Sequence, residues 1–256
     1  MRSKRALSTA YSKQGIKGAL SHVSGRLFGL PRYLRNASTI DFRYANLKPT
    51  KTIEDFIVEL LPGYNKNLIS KSVAIAKKIV DGLNTKKIPE LKAPERWNSG
   101  KDLQYILATI VLITKPEIVV ETGTANGASA SAIASALRKN KRGILLSFDI
   151  TELDPVLISP DLRSWVKLIK TDGSPDSLDK EIRKYSITES SLFLHDADHS
   201  YLGQFSDYEI AKKLSFGLIL SDDIDSSLAF SDFARNKGVV YYDAPKFIGG
   251  VRSRSL

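Results

Sequence analysis

The chain has 256 residues, 42% apolar and 26% charged, enough to bury a core without disulfides or a structural metal. It has no cysteine, which excludes a disulfide framework, zinc–thiolate and iron–sulfur sites and thiol catalysis, and fits a reducing, cytoplasmic setting. The formal charge of +10 is uneven: residues 1–40 hold eight Lys or Arg and no acid, and residues 41–256 hold the other 30 basic and all 28 acidic residues.

The basic character therefore belongs to a tail, and nucleic acid is not an expected partner of the nearly neutral body. In that tail Leu7, Tyr11, Ile16, Leu20, Val23, Leu27 and Leu30 recur at spacings of three to five, with Lys13, Lys17, Arg26 and Arg32 between them. The pattern is an amphipathic basic helix, weakened by Gly15, Gly18, Gly25 and Gly29. A membrane-surface anchor, a transit segment and a docking arm all suit it, as does an extension packed on its own domain. Contact of residues 1–36 with anionic lipid is the expectation carried forward, as peripheral attachment. No secretory apolar core follows the basic start. The apolar run 105–113 is far shorter than the roughly 20 residues of a membrane span.

Residues 41–97 read as a helical extension. Helical periodicity covers 52–61 and 67–83, broken by Pro62-Gly63, and a Lys- and Pro-containing loop follows. Asn98-Ser99-Gly100 then opens a helix with an apolar face over 103–113. From Pro116 short apolar runs alternate with helical segments. The predicted strands are 118–121, 144–150, 166–170, 191–195 and 217–221. Predicted helices cover 128–138, 177–185, 202–214 and 229–236. This alternation implies an open α/β sheet of parallel strands with crossover helices. The runs 239–242 and 247–251 lie so close together that they must form a hairpin, which makes the final strand antiparallel to its neighbour. The expected organisation is a tail over 1–40, a helical extension over 41–97 and an α/β domain over 98–256.

The first predicted strand ends in Glu121, and Gly123 and Gly127 follow before a helix rich in Ala and Ser. Glycines there allow a tight turn and close approach of a ligand to the backbone and helix N-terminus. Ala125 and Ala128 stand where the dinucleotide fingerprint needs glycine. An acid at the strand end suits a ligand carrying an ammonium group. Asp149, 22 residues past Gly127, ends the second strand, where a carboxylate takes ribose hydroxyls. Asp172 and Gly173 end the third, at the position that would edge an adenine. The stretch Glu121-Thr122-Gly123-Thr124-Ala125-Asn126-Gly127, followed by Asp149, resembles the first two motifs of the class I S-adenosylmethionine-dependent methyltransferases. That resemblance implies a Rossmann-like, mostly parallel seven-stranded sheet with the last strand antiparallel. It also implies an S-adenosylmethionine site built from Glu121, Gly123, Thr124, Gly127, Asp149, Asp172 and Gly173.

A second constellation, "FLHDADHSY" over 193–201, ends the fourth strand, and "GLILSDD" over 217–223 ends the fifth. Adjacent strand ends would crowd Asp196, Asp222 and Asp223, which repel one another unless a cation or protons compensate. Carboxylates are hard ligands suited to Mg²⁺, Mn²⁺ or Ca²⁺. With Asp207, the block resembles the metal-dependent O-methyltransferases that include macrolide-sugar and cephalosporin-tailoring enzymes. The resemblance spans about residues 98–251 and implies Asp196, Asp222 and Asp223 as metal ligands and His199 as the general base. Ala197 departs from the usual glycine, and His195 from the usual apolar residue. Asp198 reads as the cap of the following helix, Asp207 as a helix acid, Asp225 as a weaker candidate and His195 as a satisfied strand-end residue. The expected reaction is methyl transfer to a hydroxyl of a sugar, glycan or small metabolite. Two alternatives stand beside it: an RNA or protein acceptor, with the tail as docking arm, and a non-catalytic protein that keeps the pocket.

Overall fold

The structure is a computed structural model that describes residues 49–84, 90–152, 154–235, 237–243 and 246–255. The tail over 1–40, its expected lipid contact over 1–36 and most of the Lys-rich loop lie outside the described residues.

The first helix, α1 (Ile53–Leu60), starts where Thr52 accepts a hydrogen bond from the Asp55 amide at 3.0 Å. Glu54 and Asp55 complement the positive end of its dipole. Its buried residues Ile53, Phe56, Ile57 and Leu60 recur at the spacing of one helical face. Helix α2 (Lys66–Asn84) follows after the Pro62-Gly63 break. Helix α3 (Lys101–Thr114) buries nearly its whole length and leads into the sheet. The strands are β1 (Ile118–Thr122), β2 (Ile144–Asp149), β3 (Val166–Lys170), β4 (Leu192–His195), β5 (Leu218–Ser221), β6 (Val239–Asp243) and β7 (Lys246–Arg252). Between them run α4 (Ala128–Asn140), α5 (Pro175–Ile182), α6 (Tyr201–Lys213) and α7 (Ala229–Ala234).

The seven strands lie in the order β3-β2-β1-β4-β5-β7-β6. β1 to β5 pair in parallel, and β7 runs antiparallel to both β5 and β6. The expected hairpin is therefore present, with β7 inserted between β5 and β6. The sheet is buried on both faces. Val119, Leu145, Leu194 and Leu220 face a core shared with α1 to α4. Val120, Leu146, Phe193 and Ile219 face a second core shared with α5, α6 and α7. The 41–97 region thus contributes α1 and α2 to the same core as the sheet. Thr50 joins the edge strand β6 through its amide, which donates to the Val240 carbonyl at 2.8 Å. Among the described residues no helix is long and apolar enough to cross a membrane.

In this order the chain reverses direction across the sheet between β1 and β4. Ligands of open α/β sheets bind at the carboxyl ends of the strands beside such a reversal. Glu121, Gly123, Asp149, Asp172, Asp196, His199, Asp222 and Asp223 all lie at or just past the carboxyl ends of β1 to β5.

Candidate active site

Gly123 and Gly127 adopt φ of +92° and +88°, a region open to glycine at little cost. A Cβ at Gly123 would lie 1.9 Å from the Asp196 carbonyl oxygen. Its absence is what lets the β1 turn close against the end of β4. A Cβ at Gly127 would meet Pro155 and Ile158, so this glycine seats the loop that follows β2. The sequence reading assigned both glycines to ligand approach; here they also permit contact between protein segments.

Asp149 stands at the tip of β2, as expected. Its Oδ2 accepts the Thr124 and Ala125 amides at 3.1 and 3.2 Å, and its Oδ1 accepts the Thr151 amide and hydroxyl. Thr124 is buried, with its hydroxyl 2.7 Å from that of Ser147. Asp172 accepts both the amide and the hydroxyl of Ser174, which together hold it below the usual carboxylate range. Gly173 approaches Ile150, an apolar side chain 60% exposed immediately after Asp149.

Glu121 is closed off from solvent at the strand end. It is fully buried, with the Ser147 hydroxyl donating to its Oε2 at 2.6 Å, and its Oε1 has no hydrogen-bond partner. Burial pushes its pKa up to about 7; Ser129 and Ser147 pull the other way, and Asp149 adds to the rise. The reason is side-chain alternation. Glu121 shares the face of Val119, which is covered by helices.

Asp196 and Asp222 lie side by side because the ladder runs one step past each strand. The Asp196 amide donates to the Thr122 carbonyl, and the Asp222 amide to the His195 carbonyl, each at 3.0 Å. Burial raises the Asp196 pKa well above its ordinary value, and Asp222, Glu121 and Asp223 reinforce it. Asp222 is pushed up to about 6 by burial and then by Asp223. Asp223 adopts φ +47°, a left-handed geometry that costs a non-glycine residue and clusters at functional sites. Gln204 Nε2 donates to its carbonyl at 3.2 Å and fixes it against α6.

His199 Nε2 lies 3.5 Å from Asp223 Oδ2 and 3.9 Å from Asp196 Oδ1. Burial lowers its pKa, against the pull of Asp223, so the ring is neutral at pH 7. Its Nδ1 is buried without a partner. His195 is the residue read from the sequence as a satisfied strand-end residue. Its Nδ1 lies 2.7 Å from Asp207 Oδ2, and that carboxylate also accepts the Thr122 hydroxyl at 2.9 Å. Asp207 is therefore a structural helix acid. His195 is satisfied on this side only, since its buried Nε2 has no partner. The two imidazoles meet edge to face, with centroids 5.7 Å apart.

One expectation is corrected. The cap of α6 is Ser200, whose hydroxyl accepts the Gly203 amide at 3.1 Å. Asp198 sits two residues too early and instead accepts the Ser200 amide and hydroxyl. A serine at the N-cap itself reaches the third helical amide, and an aspartate two residues before it does not.

Lys246 had gone unremarked in the sequence. It opens β7, opposite Asp243 of β6, and the next amide, that of Phe247, donates to Asp225 Oδ1. Its Nζ reaches the two oxygens of Asp223 at 3.0 and 3.1 Å and Asp222 Oδ2 at 3.6 Å. The acids expected to hold a metal therefore already face an ammonium. Among the described residues no three His, Asp or Glu side chains converge as metal ligands. Mg²⁺ takes carboxylate oxygens at about 2.0–2.1 Å in a near-octahedral shell, and here Asp223 gives both its oxygens to Lys246. As arranged, these residues do not fit a divalent ion.

Another neglected residue is Asn126. Its Oδ1 accepts the Lys92 and Ala93 amides, and its Nδ2 donates to the Ala93 carbonyl and to Asn98 Oδ1. This fully satisfied amide ties the segment before α3 to the β1–α4 turn.

Residues 120–224 match a family described as a methyltransferase domain. The matched stretch holds the Glu121–Gly127 turn, Asp149, Asp172, the Asp196–His199 turn and Asp222-Asp223. Among solved structures, the SAH-bound Podospora anserina methyltransferase PaMTH1 is 13% identical; the match covers 69% of this chain and 87% of that one, with a TM-score of 0.48. The Bacillus cereus O-methyltransferase in complex with SAH is 14% identical, covering 78% and 96%, with a TM-score of 0.45. The Streptomyces achromogenes O-methyltransferase TomG, involved in tomaymycin synthesis and solved with SAM, is 11% identical, covering 71% and 89%, with a TM-score of 0.47. No curated protein matches the chain.

Proposed function

We propose that the protein moves a methyl group from S-adenosylmethionine to a hydroxyl oxygen of a sugar, a glycan or another small hydroxyl-bearing metabolite. The observation that carries this reading is the position of the His199 imidazole, 3.5 Å from Asp223 and 3.9 Å from Asp196. The residues around that turn suit the cofactor. Glu121 keeps one buried carboxylate oxygen unpartnered, Asp149 stands at the β2 tip, and Ile150 offers an exposed apolar surface beside Gly173. S-adenosylmethionine, when bound, supplies an electrophilic sulfonium methyl and a neutral leaving group.

The protein's own residues then have two tasks. The His199 imidazole takes the proton that the acceptor hydroxyl loses as its oxygen becomes methylated. Asp196 and Asp223 orient that imidazole and stabilise it once protonated. The rest of the rate comes from holding the acceptor in line with the methyl group. The divalent ion implied by the sequence resemblance enters no step, because Lys246 stands against its expected ligands. A non-catalytic pocket would have no use for an imidazole held between two carboxylates.

The test is calorimetric titration of S-adenosylhomocysteine into the full-length protein and into Asp149→Ala. Saturable one-to-one binding, weakened about tenfold or more in the variant, is the expected outcome. No heat of binding in the wild type would remove the cofactor from the reading and leave the turn as scaffold.

A further inference from the structure

We propose that Lys246 fills the place of the divalent cation in this acid cluster, so that the acceptor oxygen is met by an ammonium and an imidazole. Asp196, Asp222 and Asp223 lie at the ends of β4 and β5, with Asp222 almost entirely removed from solvent and Asp196 largely so. Such a group needs a positive partner, or it must stay protonated. The described structure places one cation against it, the Lys246 ammonium, bound to both oxygens of Asp223 and 3.6 Å from Asp222.

The position is built. Lys246 starts β7, whose pairing with β5 sets Gly249 opposite Ser221, one residue before Asp222. The β6 pairing sets Lys246 opposite Asp243, and the Phe247 amide is held by Asp225. The lysine stem therefore leaves the sheet beside the acids. A divalent ion on the same Asp223 oxygens would sit close to the ammonium, and their repulsion would have to be overcome as well as the ion's dehydration. An ammonium also offers up to three donors. Those not used by Asp222 and Asp223 suit an acceptor oxygen that gains negative charge as its proton leaves. This deepens the methyl-transfer reading and rests on it for the acceptor, whereas the identity of the cation can be tested without one.

The experiment is Mn²⁺ titration followed by electron paramagnetic resonance. The samples are the full-length protein, Lys246→Arg, Lys246→Met and the double variant Lys246→Met/Asp222→Asn. Near-UV circular dichroism reports whether each is folded, and S-adenosylhomocysteine binding is measured on the same samples. The wild type and Lys246→Arg should bind Mn²⁺ no better than about millimolar, and Lys246→Met at least about tenfold more tightly. Asp222→Asn should abolish that gain. Tight binding by the wild type would overturn the proposal, as would a folded Lys246→Met that binds no better than the wild type. Should Lys246→Met fail to fold, the wild type and Lys246→Arg decide alone, through weak or tight Mn²⁺ binding. Absent S-adenosylhomocysteine binding would sink the methyl-transfer reading and leave the cation result standing.

Discussion

Glu121 shows how one buried side chain can link stability to pH. Its folded pKa of about 7 lies above the ordinary 4.5, so the folded state holds the proton more tightly than the unfolded one. The favourable contribution is complete below pH 4.5 and is lost as pH rises through about 7. The span corresponds to about 3 kcal/mol as an upper figure. Glu121→Gln removes this titration. Urea unfolding at pH 5 and pH 8 should show the wild type losing stability relative to the variant by up to that amount as pH rises. A difference between the two proteins that does not change with pH would refute the assignment. His199 makes a different demand. Because burial lowers its pKa, it is free to accept a proton at pH 7. His199→Ala should lower kcat for an accepted hydroxyl substrate by about 10²-fold or more, with S-adenosylhomocysteine affinity unchanged. A parallel loss of both would make the ring a packing residue.

At the scale of elements, the site depends on turns that hold strands and helices together. Gly123 closes the β1 turn on the end of β4, and Asn126 fastens the segment before α3 to the same turn. Asn126→Ala would leave the Lys92 and Ala93 amides and the Ala93 carbonyl without this partner. Each unmet buried group costs about 1–3 kcal/mol. The variant should unfold at a clearly lower urea concentration with an unchanged slope. An unaltered midpoint would mean that water replaces the amide without loss. Ser200 and Asp207 work similarly on α6, one as its cap and the other as the anchor of His195. The short motif around His199 is thus held from both the strand and the helix side.

At the scale of the whole molecule, the basic charge of residues 1–40 contrasts with a body of net +2. Attraction of such a segment to anionic lipid is short-ranged and salt-sensitive. Co-sedimentation with anionic vesicles should pellet the full-length protein and leave a chain starting at Asp41 in solution. Equal pelleting of the two would end the membrane reading. The body itself is a three-layer unit in which α1 and α2 share a core with the sheet.

The sequence by itself determined the alternation of strands and helices, because β-branched runs and helical periodicity are local signals. It also placed the hairpin near the end of the chain and put Glu121, Asp149, Asp196 and Asp222 at or just past strand ends, since strand ends are marked by where apolar runs stop. Which way those side chains point was not legible. Glu121 falls on the buried face by alternation within β1, and Ser200 rather than Asp198 caps α6 by a difference of two positions. The partners of the acids were still less so. Lys246 lies 50 residues beyond Asp196 in a segment with no motif, and only insertion of β7 between β5 and β6 carries its ammonium to Asp222 and Asp223. Charge compensation depends on distance through space, and that distance is set by strand order, which the tertiary structure alone decides.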